Sequence, residues 1–112
     1  MTALTPDEME VLRQFKAAVS KALPGMVREV RLFGSRARGE ARADSDWDVA
    51  VVLDGRAAHD MALRDVVSDT ALDFLIRGWP IEEMVISAEA LDDGAWRADA
   101  VGDAARHGIR IE

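Results

Sequence analysis

Residues 32–55 constrain the fold of this chain more than any other stretch. An apolar, alternating run at residues 27–33 predicts a strand, and residues 34–44 predict a short, basic turn and loop. Residues 46–53, which are dense in Val, predict a second strand. The side chains that flank the loop are therefore expected to meet at neighbouring strand ends.

The second strand carries two carboxylates on one face. Because side chains alternate across a strand, its other face is continuous, apolar and fit to pack on helices: Trp47, Val49, Val51 and Leu53. Asp46 and Asp48 repel each other unless a cation lies between them. An ordinary strand edge is the alternative, but Asp is depleted in strands. Hard oxygen ligands at this spacing suit Mg²⁺, which takes one or two carboxylates together with phosphate oxygens.

Gly34 and Ser35 supply groups that suit a phosphate. A Gly directly after a strand allows a tight turn and lets a phosphate approach backbone N–H groups, and Ser35 adds a hydroxyl donor. Arg36, Arg38 and Arg42 place positive charge nearby. Hydrogen-bond donors for a phosphate beside metal-holding carboxylates are the arrangement for metal-assisted phosphoryl or nucleotidyl transfer.

The arginines have two uses that the sequence leaves open. Arg36 and Arg38 either bind a triphosphate or pair with nearby acids such as Glu40 and Asp44.

A kinase or ATPase of the P-loop type is excluded, because Glu40 stands where that motif requires Lys.

The flanking segments predict an α/β domain. A first helix begins at Thr5, and Glu8 completes a capping box with it. The further predicted elements are a helix at residues 56–77, a strand at Ile81–Ser87, a helical segment at 96–107 and an edge strand at 109–111. We expect a small mixed β-sheet with helices packed on one face. Trp79 and Trp96 are expected in the core or at its boundary, with an exposed partner surface as the alternative.

Composition excludes several classes of protein. A length of 112 residues predicts a single domain over residues 1–112. The net charge of −7 argues against broad nucleic-acid binding, which needs a basic face. There are no cysteines, the N-terminus is acidic, and no apolar run approaches the roughly 20 residues of a membrane span. We expect a cytoplasmic protein, and association with itself or with another chain stays open.

The spacing of the motif residues resembles one superfamily. Gly34-Ser35, ten further residues and Asp46-Trp47-Asp48 match the Gly-Ser-x10-Asp-x-Asp signature of the polymerase-beta-like nucleotidyltransferases. The flanks Leu32-Phe33, Arg36-Ala37-Arg38-Gly39 and Ser45 resemble the minimal nucleotidyltransferase (MNT) family, which includes the antitoxin of HEPN/MNT toxin–antitoxin pairs. The resemblance implies the polymerase-beta-like nucleotidyltransferase fold.

The resemblance also implies a third carboxylate on an adjacent strand. Glu82 and Glu83 begin the third predicted strand, and only one of them can face the site. Glu82 is preferred because it starts the face that Met84 and Ile86 continue; Glu83, or a plain surface role for both acids, stays open. The implied site has catalytic and metal-holding Asp46, Asp48 and Glu82, with nucleotide-binding Gly34, Ser35, Arg36 and Arg38.

The implied reaction uses Mg²⁺ as cofactor and ATP as substrate. The MNT antitoxins transfer AMP from ATP to a tyrosine of a HEPN ribonuclease toxin, an AMPylation that silences it. Two alternatives remain at this point. One is nucleotide transfer to a small molecule such as an aminoglycoside, and the other is a non-catalytic module that binds a toxin.

Overall fold

The computed structural model describes residues 4–42 and 44–112. The helices and strands of these residues are, in chain order, α1 (Pro6–Ala22), β1 (Val27–Phe33), α2 (Gly34–Arg38), β2 (Trp47–Leu53), α3 (Gly55–Ala58), α4 (Met61–Ile76), β3 (Ile81–Ser87), α5 (Ala88–Asp93), α6 (Ala100–His107) and β4 (Ile109–Arg110). The described helices include none that is both long and apolar enough to cross a membrane.

The four strands form one mixed sheet in the order β3-β2-β1-β4. β1 pairs antiparallel with β2 and with β4, whereas β2 and β3 run parallel. The predicted fold class, an α/β domain with a small mixed sheet, is confirmed. The expected packing of helices on one face only is wrong, because α5 and α6 pack on the second face. The bounds of β1 and β3 are those expected from the sequence, and β2 begins one residue later than expected, at Trp47.

The helix bounds follow local capping chemistry. Thr5 and Glu8 form the predicted capping box, in which the Glu8 N–H donates to Thr5 Oγ1 at 3.1 Å and the Thr5 N–H donates to Glu8 Oε1 at 2.9 Å. The helix predicted at residues 56–77 is in fact two, α3 and α4. Asp60 separates them, because its side chain accepts from the N–H groups of Ala62 and Leu63 and so starts a new helix.

Two further expectations about the helices were wrong in detail. The predicted loop at residues 34–44 begins as the short helix α2, which ends where Gly39 adopts a left-handed conformation at φ 74°. The helical segment predicted from residue 96 begins only at Ala100. Asp99 caps α6 there by accepting from the Gly102 N–H, so the preceding residues lie outside the helix.

The core lies on both faces of the sheet. The two long helices, α1 and α4, cover one face, where Phe15 and Phe74 meet edge to face at 5.4 Å. The opposite face is covered by the short helices α5 and α6, which contribute Leu91 and Ala104. The apolar residues on that second face of the strands are Phe33, Ala50, Val52, Met84 and Ile86. This second layer matters for function, because Asp48 of β2, which pairs with Phe33, points to the same face.

Candidate functional site

The ends of three strands, β1, β2 and β3, meet at one end of the sheet. The last residue of β1, Phe33, pairs with Asp48 near the start of β2, and Asp48 pairs with Glu82 near the start of β3. The chain turns into α2 at Gly34, directly after Phe33. Because paired residues on neighbouring strands point to the same face, Asp48 and Glu82 lie side by side.

Gly34 is required by its contact with Asp48. Its φ is +74°, a left-handed backbone conformation that residues other than glycine rarely adopt. A Cβ at this position would lie only 2.1 Å from Oδ2 of Asp48. The glycine therefore lets the carboxylate approach the backbone of the turn.

Negative charge is concentrated at this end of the sheet. Asp48 is partly buried, and the burial raises the pKa of its carboxyl; the nearby charges of Glu82, Asp46 and Asp103 raise the pKa further, while Arg38 opposes them. Within residues 4–42 and 44–112, no hydrogen bond or ion pair reaches the carboxylates of Asp46, Asp48 or Glu82. Such a group is suited to receive a cation from solution.

The donor set fits a divalent metal that arrives with a nucleotide. In the described part of the chain no three carboxylate or imidazole groups already converge on one point. Mg²⁺ does not need such a cage, since it commonly binds one or two carboxylates and takes its other oxygens from phosphates and water. Asp48 and Glu82 have the right chemistry and share a face. Asp46 lies directly before β2, near enough for its charge to raise the pKa of Asp48.

Glu83 lies on the other face of the sheet. It pairs with Val49, whose side chain belongs to the core under α1 and α4. Of the two acids that the sequence left open, Glu82 is the one beside Asp48. Its role as a third ligand stays a prediction.

A cavity of about 560 Å³ opens next to Asp48. One wall is formed by Gly34, Ser35 and Arg38, and α6 with the residues before it forms the other. The α6 wall brings two cationic or titratable side chains, Arg106 and His107, together with acidic ones. The cavity is therefore lined both by carboxylates and by hydrogen-bond donors of the kind that suits phosphate.

Asp103 of α6 is the residue that sequence reasoning missed. Its Oδ2 accepts a hydrogen bond from the Gly34 N–H at 2.9 Å and pairs with Nη1 of Arg38 at 2.7 Å. Arg38 also pairs with Glu40 at 3.1 Å, and hydrogen bonds to Glu40 and to Asp103 raise the pKa of its guanidinium. No local signal marks Asp103, which lies in an Ala-rich helix 69 residues from Gly34.

Arg36 does not line this cavity. Its guanidinium stacks over the ring of Trp47 at 5.3 Å, pairs with Glu8 at 3.3 Å and donates to the carbonyl oxygen of Ser45 at 2.7 Å. Trp47 is buried and stacks in turn on Trp79 at 5.2 Å. These contacts favour the ion-pairing alternative for Arg36, with Glu8 as the partner. Arg38, by contrast, both lines the cavity and pairs with acids.

A second, smaller cavity of about 230 Å³ adjoins the carboxylates from the side of α4. Its lining combines Asp46, Glu82 and Glu83 with apolar Leu75, Pro80 and Ile81. Beside it, α4 exposes apolar side chains at helical spacing: Leu72 and Leu75 are each 51% exposed and Ile76 is 75% exposed. The carboxylates thus lie between the larger cavity, which Gly34, Ser35 and Arg38 line, and a surface that is both acidic and apolar.

Fold and site together define a class of small α/β proteins that carry carboxylates at the start of a strand beside a Gly-Ser turn. Residues 12–89, more than half of the chain, match the nucleotidyltransferase domain family, and the chain belongs to that family. The structure is similar to a crystal structure of a "putative nucleotidyltransferase" from Sulfolobus solfataricus, with a TM-score of 0.63 and 23% identity over 91% of this chain and 77% of that one. At this identity the likeness concerns the fold. No curated protein matches the chain.

Proposed function

We propose that this protein is a Mg²⁺-dependent nucleotidyltransferase of the minimal type, an antitoxin that transfers AMP from ATP to a tyrosine hydroxyl of a HEPN ribonuclease toxin. One observation carries the transferase part. Asp46, Asp48 and Glu82 lie beside a cavity that Gly34 and Ser35 line, and no hydrogen bond or ion pair from the described residues reaches their carboxylates. The membership of the nucleotidyltransferase domain family supports the same reaction class.

The triphosphate of ATP is assigned to the larger cavity. There the backbone N–H of Gly34, the hydroxyl of Ser35 and the guanidinium of Arg38 are the donors for phosphate oxygens. Asp46, Asp48 and Glu82 would hold Mg²⁺, which when bound neutralises charge on the phosphates and on the carboxylates. Much of the rate acceleration would come from positioning and charge neutralisation.

The acceptor hydroxyl is assigned to the opposite side of the carboxylates. The Glu82 carboxylate takes the hydroxyl proton, and the hydroxyl oxygen attacks the α-phosphorus in line with the bond to the β-phosphate. The new bond forms between the acceptor oxygen and the α-phosphorus, the bond to the bridging oxygen breaks, and pyrophosphate leaves. Glu82 lines the smaller cavity, which is where this assignment places the acceptor.

The exposed side chains of α4 support a protein as the acceptor. Leu72, Leu75 and Ile76 form an apolar stripe that begins at the smaller cavity, and such stripes commonly mark protein contacts. A small polar acceptor would need only the cavity itself. The choice of a HEPN toxin and of a tyrosine rests on the resemblance of the Gly34–Asp48 region to the MNT antitoxins.

The test is transfer of label from ATP. The purified protein is incubated with Mg²⁺ and the candidate toxin, or lysate of the source cells, once with ATP labelled at the α-phosphate and once with ATP labelled at the γ-phosphate. We expect only the α-label to move to one protein, and Asp48→Ala to abolish the transfer. Asp92→Ala removes an exposed carboxylate of α5 that lines neither cavity and is the matched control.

The other outcomes are distinct. Label on a small molecule would replace the protein acceptor by the small-molecule one. Transfer of γ-label would show phosphoryl instead of nucleotidyl transfer. No transfer at all, with toxin neutralised equally by the wild type and by Asp48→Ala, would refute the enzymatic proposal and leave a module that acts by binding.

A further inference from the structure

The carboxylate of Asp103 makes the contacts that a phosphate oxygen would make. A single oxygen, Oδ2, receives the Gly34 N–H at 2.9 Å and the Arg38 guanidinium at 2.7 Å. A backbone N–H and a guanidinium that converge on one anionic oxygen are typical donors for phosphate. We call this pair of donors, Gly34 N–H and Arg38, the anion seat.

The anion seat faces the cavity that is assigned to the triphosphate. Asp103, Gly34 and Arg38 all line that cavity, and Asp48 lines it too. A phosphate that entered would meet donors already occupied by a carboxylate, and the charge of that carboxylate would repel it. Asp103 and a nucleotide phosphate therefore exclude each other from the seat.

We infer that Asp103 is a built-in competitor of the nucleotide: ATP binds by displacing the Asp103 carboxylate from Gly34 and Arg38, so that this residue sets the affinity for the triphosphate. The inference rests on the proposed function in so far as it assigns phosphates to this cavity. Its effect is to weaken binding of the nucleotide and to couple that binding to α6.

Displacement needs no unwinding of α6. Both contacts are made by the same oxygen at the end of a short side chain, so a rotation about the Cα–Cβ bond breaks both. The backbone N–H of Asp103 stays bonded to the carbonyl of Asp99 at 3.0 Å. Arg38 keeps Glu40 as a partner at 3.1 Å when Asp103 leaves.

The experiment measures the affinity for inorganic tripolyphosphate without metal, by titration calorimetry, on the wild type and on Asp103→Asn. Asn has the shape of Asp without its charge. We expect binding to tighten about tenfold, the factor that corresponds to roughly 1.4 kcal/mol, or one charge-assisted hydrogen bond. Asp103→Ala, which also removes the acceptor oxygen, serves if the Asn variant fails to fold, and thermal unfolding checks each variant.

Asp99→Asn is the matched control. Asp99 lines the same cavity and carries the same charge, but it pairs with Arg97 at 3.0 Å and caps α6 instead of entering the seat. Asn also caps helices well, so α6 is preserved. We expect at most an about twofold effect from its charge. Equal tightening in both variants would show a general charge effect and overturn the inference.

The remaining results are also decisive. Unchanged affinity in Asp103→Asn means that the carboxylate does not compete, and weaker affinity means that Asp103 helps to hold the ligand; each overturns the inference, as does a lack of binding in every variant. The AMP-transfer assay runs in parallel. Tighter tripolyphosphate binding without any transfer would sustain the inference and remove the proposed function, whereas transfer with unchanged affinity would do the reverse.

Discussion

Replacement of Asp48 by Asn is expected to stabilise the protein while it abolishes transfer. Burial and the nearby charges of Glu82, Asp46 and Asp103 raise the pKa of the Asp48 carboxyl. Folding therefore disfavours the ionised form of this group, and at neutral pH its charge lowers the free energy of unfolding. Asn keeps the shape of the side chain and removes the charge.

The magnitude follows from the pairing of β2 with β3. Asp48 and Glu82 are paired residues on parallel strands, which lie about 4.8 Å apart. Two unit charges at that separation repel by about 0.9 kcal/mol in water and by about 3.5 kcal/mol at an effective dielectric constant of 20. Because Glu82 is exposed, the value near water applies, and we expect a gain of about 1 kcal/mol. For a chain of 112 residues this corresponds to a rise in Tm of about 4 °C.

The assay is thermal unfolding in EDTA at low salt and pH 7.5. Asp48→Asn should unfold about 4 °C above the wild type, and Glu82→Gln should also be stabilised, because each removes the same repulsion. The double variant should then gain less than the sum of the two. Glu83→Gln, on the other face of β3, should leave the Tm close to that of the wild type.

The stability gain of Asp48→Asn over the wild type depends on pH in a defined direction. The pKa is raised in the folded state, so the advantage of Asp48→Asn is full above the folded pKa. It is lost as the pH falls through the folded pKa towards the ordinary value of about 3.9, because the wild-type carboxylate then takes up its proton. An Asp48→Asn variant that unfolds at or below the wild-type Tm at pH 7.5 would refute the reasoning, as would an advantage that persists unchanged at pH 3.

Three further predictions concern single positions. Gly34→Ala forces a Cβ to within 2.1 Å of Oδ2 of Asp48 at a positive φ. We expect the free energy of unfolding, measured with denaturant, to fall by about 1–3 kcal/mol and AMP transfer to be lost. Normal values in both assays would contradict the geometry. Arg36→Lys loses the stacking on Trp47 and should destabilise by about 1–2 kcal/mol with unchanged tripolyphosphate affinity, whereas a weaker affinity would make Arg36 a phosphate ligand. Ile76→Asp should change stability by no more than about 0.5 kcal/mol and reduce labelling of a protein acceptor, and undiminished labelling would exclude this surface.

The sequence predicted the elements whose signals are local. The capping box of Thr5 and Glu8 lies within four residues, and the alternation of β2 appears in a run of seven. The same alternation placed Asp48 on one face and Trp47 in the core, as the structure has them. It also indicated that only one of Glu82 and Glu83 can share a face with Asp48. The register of β3 against β2 decides for Glu82, and the sequence left that choice open.

The sequence did not predict contacts between distant segments. Asp103 reaches Gly34 across 69 residues, and Glu8 reaches Arg36 across 28, so neither pairing leaves a periodic or spacing signal. Trp96 was expected in or near the core, but it is 84% exposed, because it lies in the turn before α6 and not in a helix that packs on the sheet. Such outcomes depend on where α6 docks, which only the tertiary fold determines.

The charges of the site explain why stability and ligand affinity are expected to oppose each other. Asp48 and Glu82 repel each other across one strand pair, while Asp103 of α6 pairs with Arg38 at the larger cavity. A ligand that brings a cation to the carboxylates and a phosphate to the anion seat relieves the repulsion and replaces the Asp103 carboxylate. Free ATP supplies only the phosphate, and free Mg²⁺ supplies only the cation. Under the proposed function, each should therefore bind more weakly alone than in the presence of the other, and Asp48→Asn should remove this mutual enhancement while Asp103→Asn retains it.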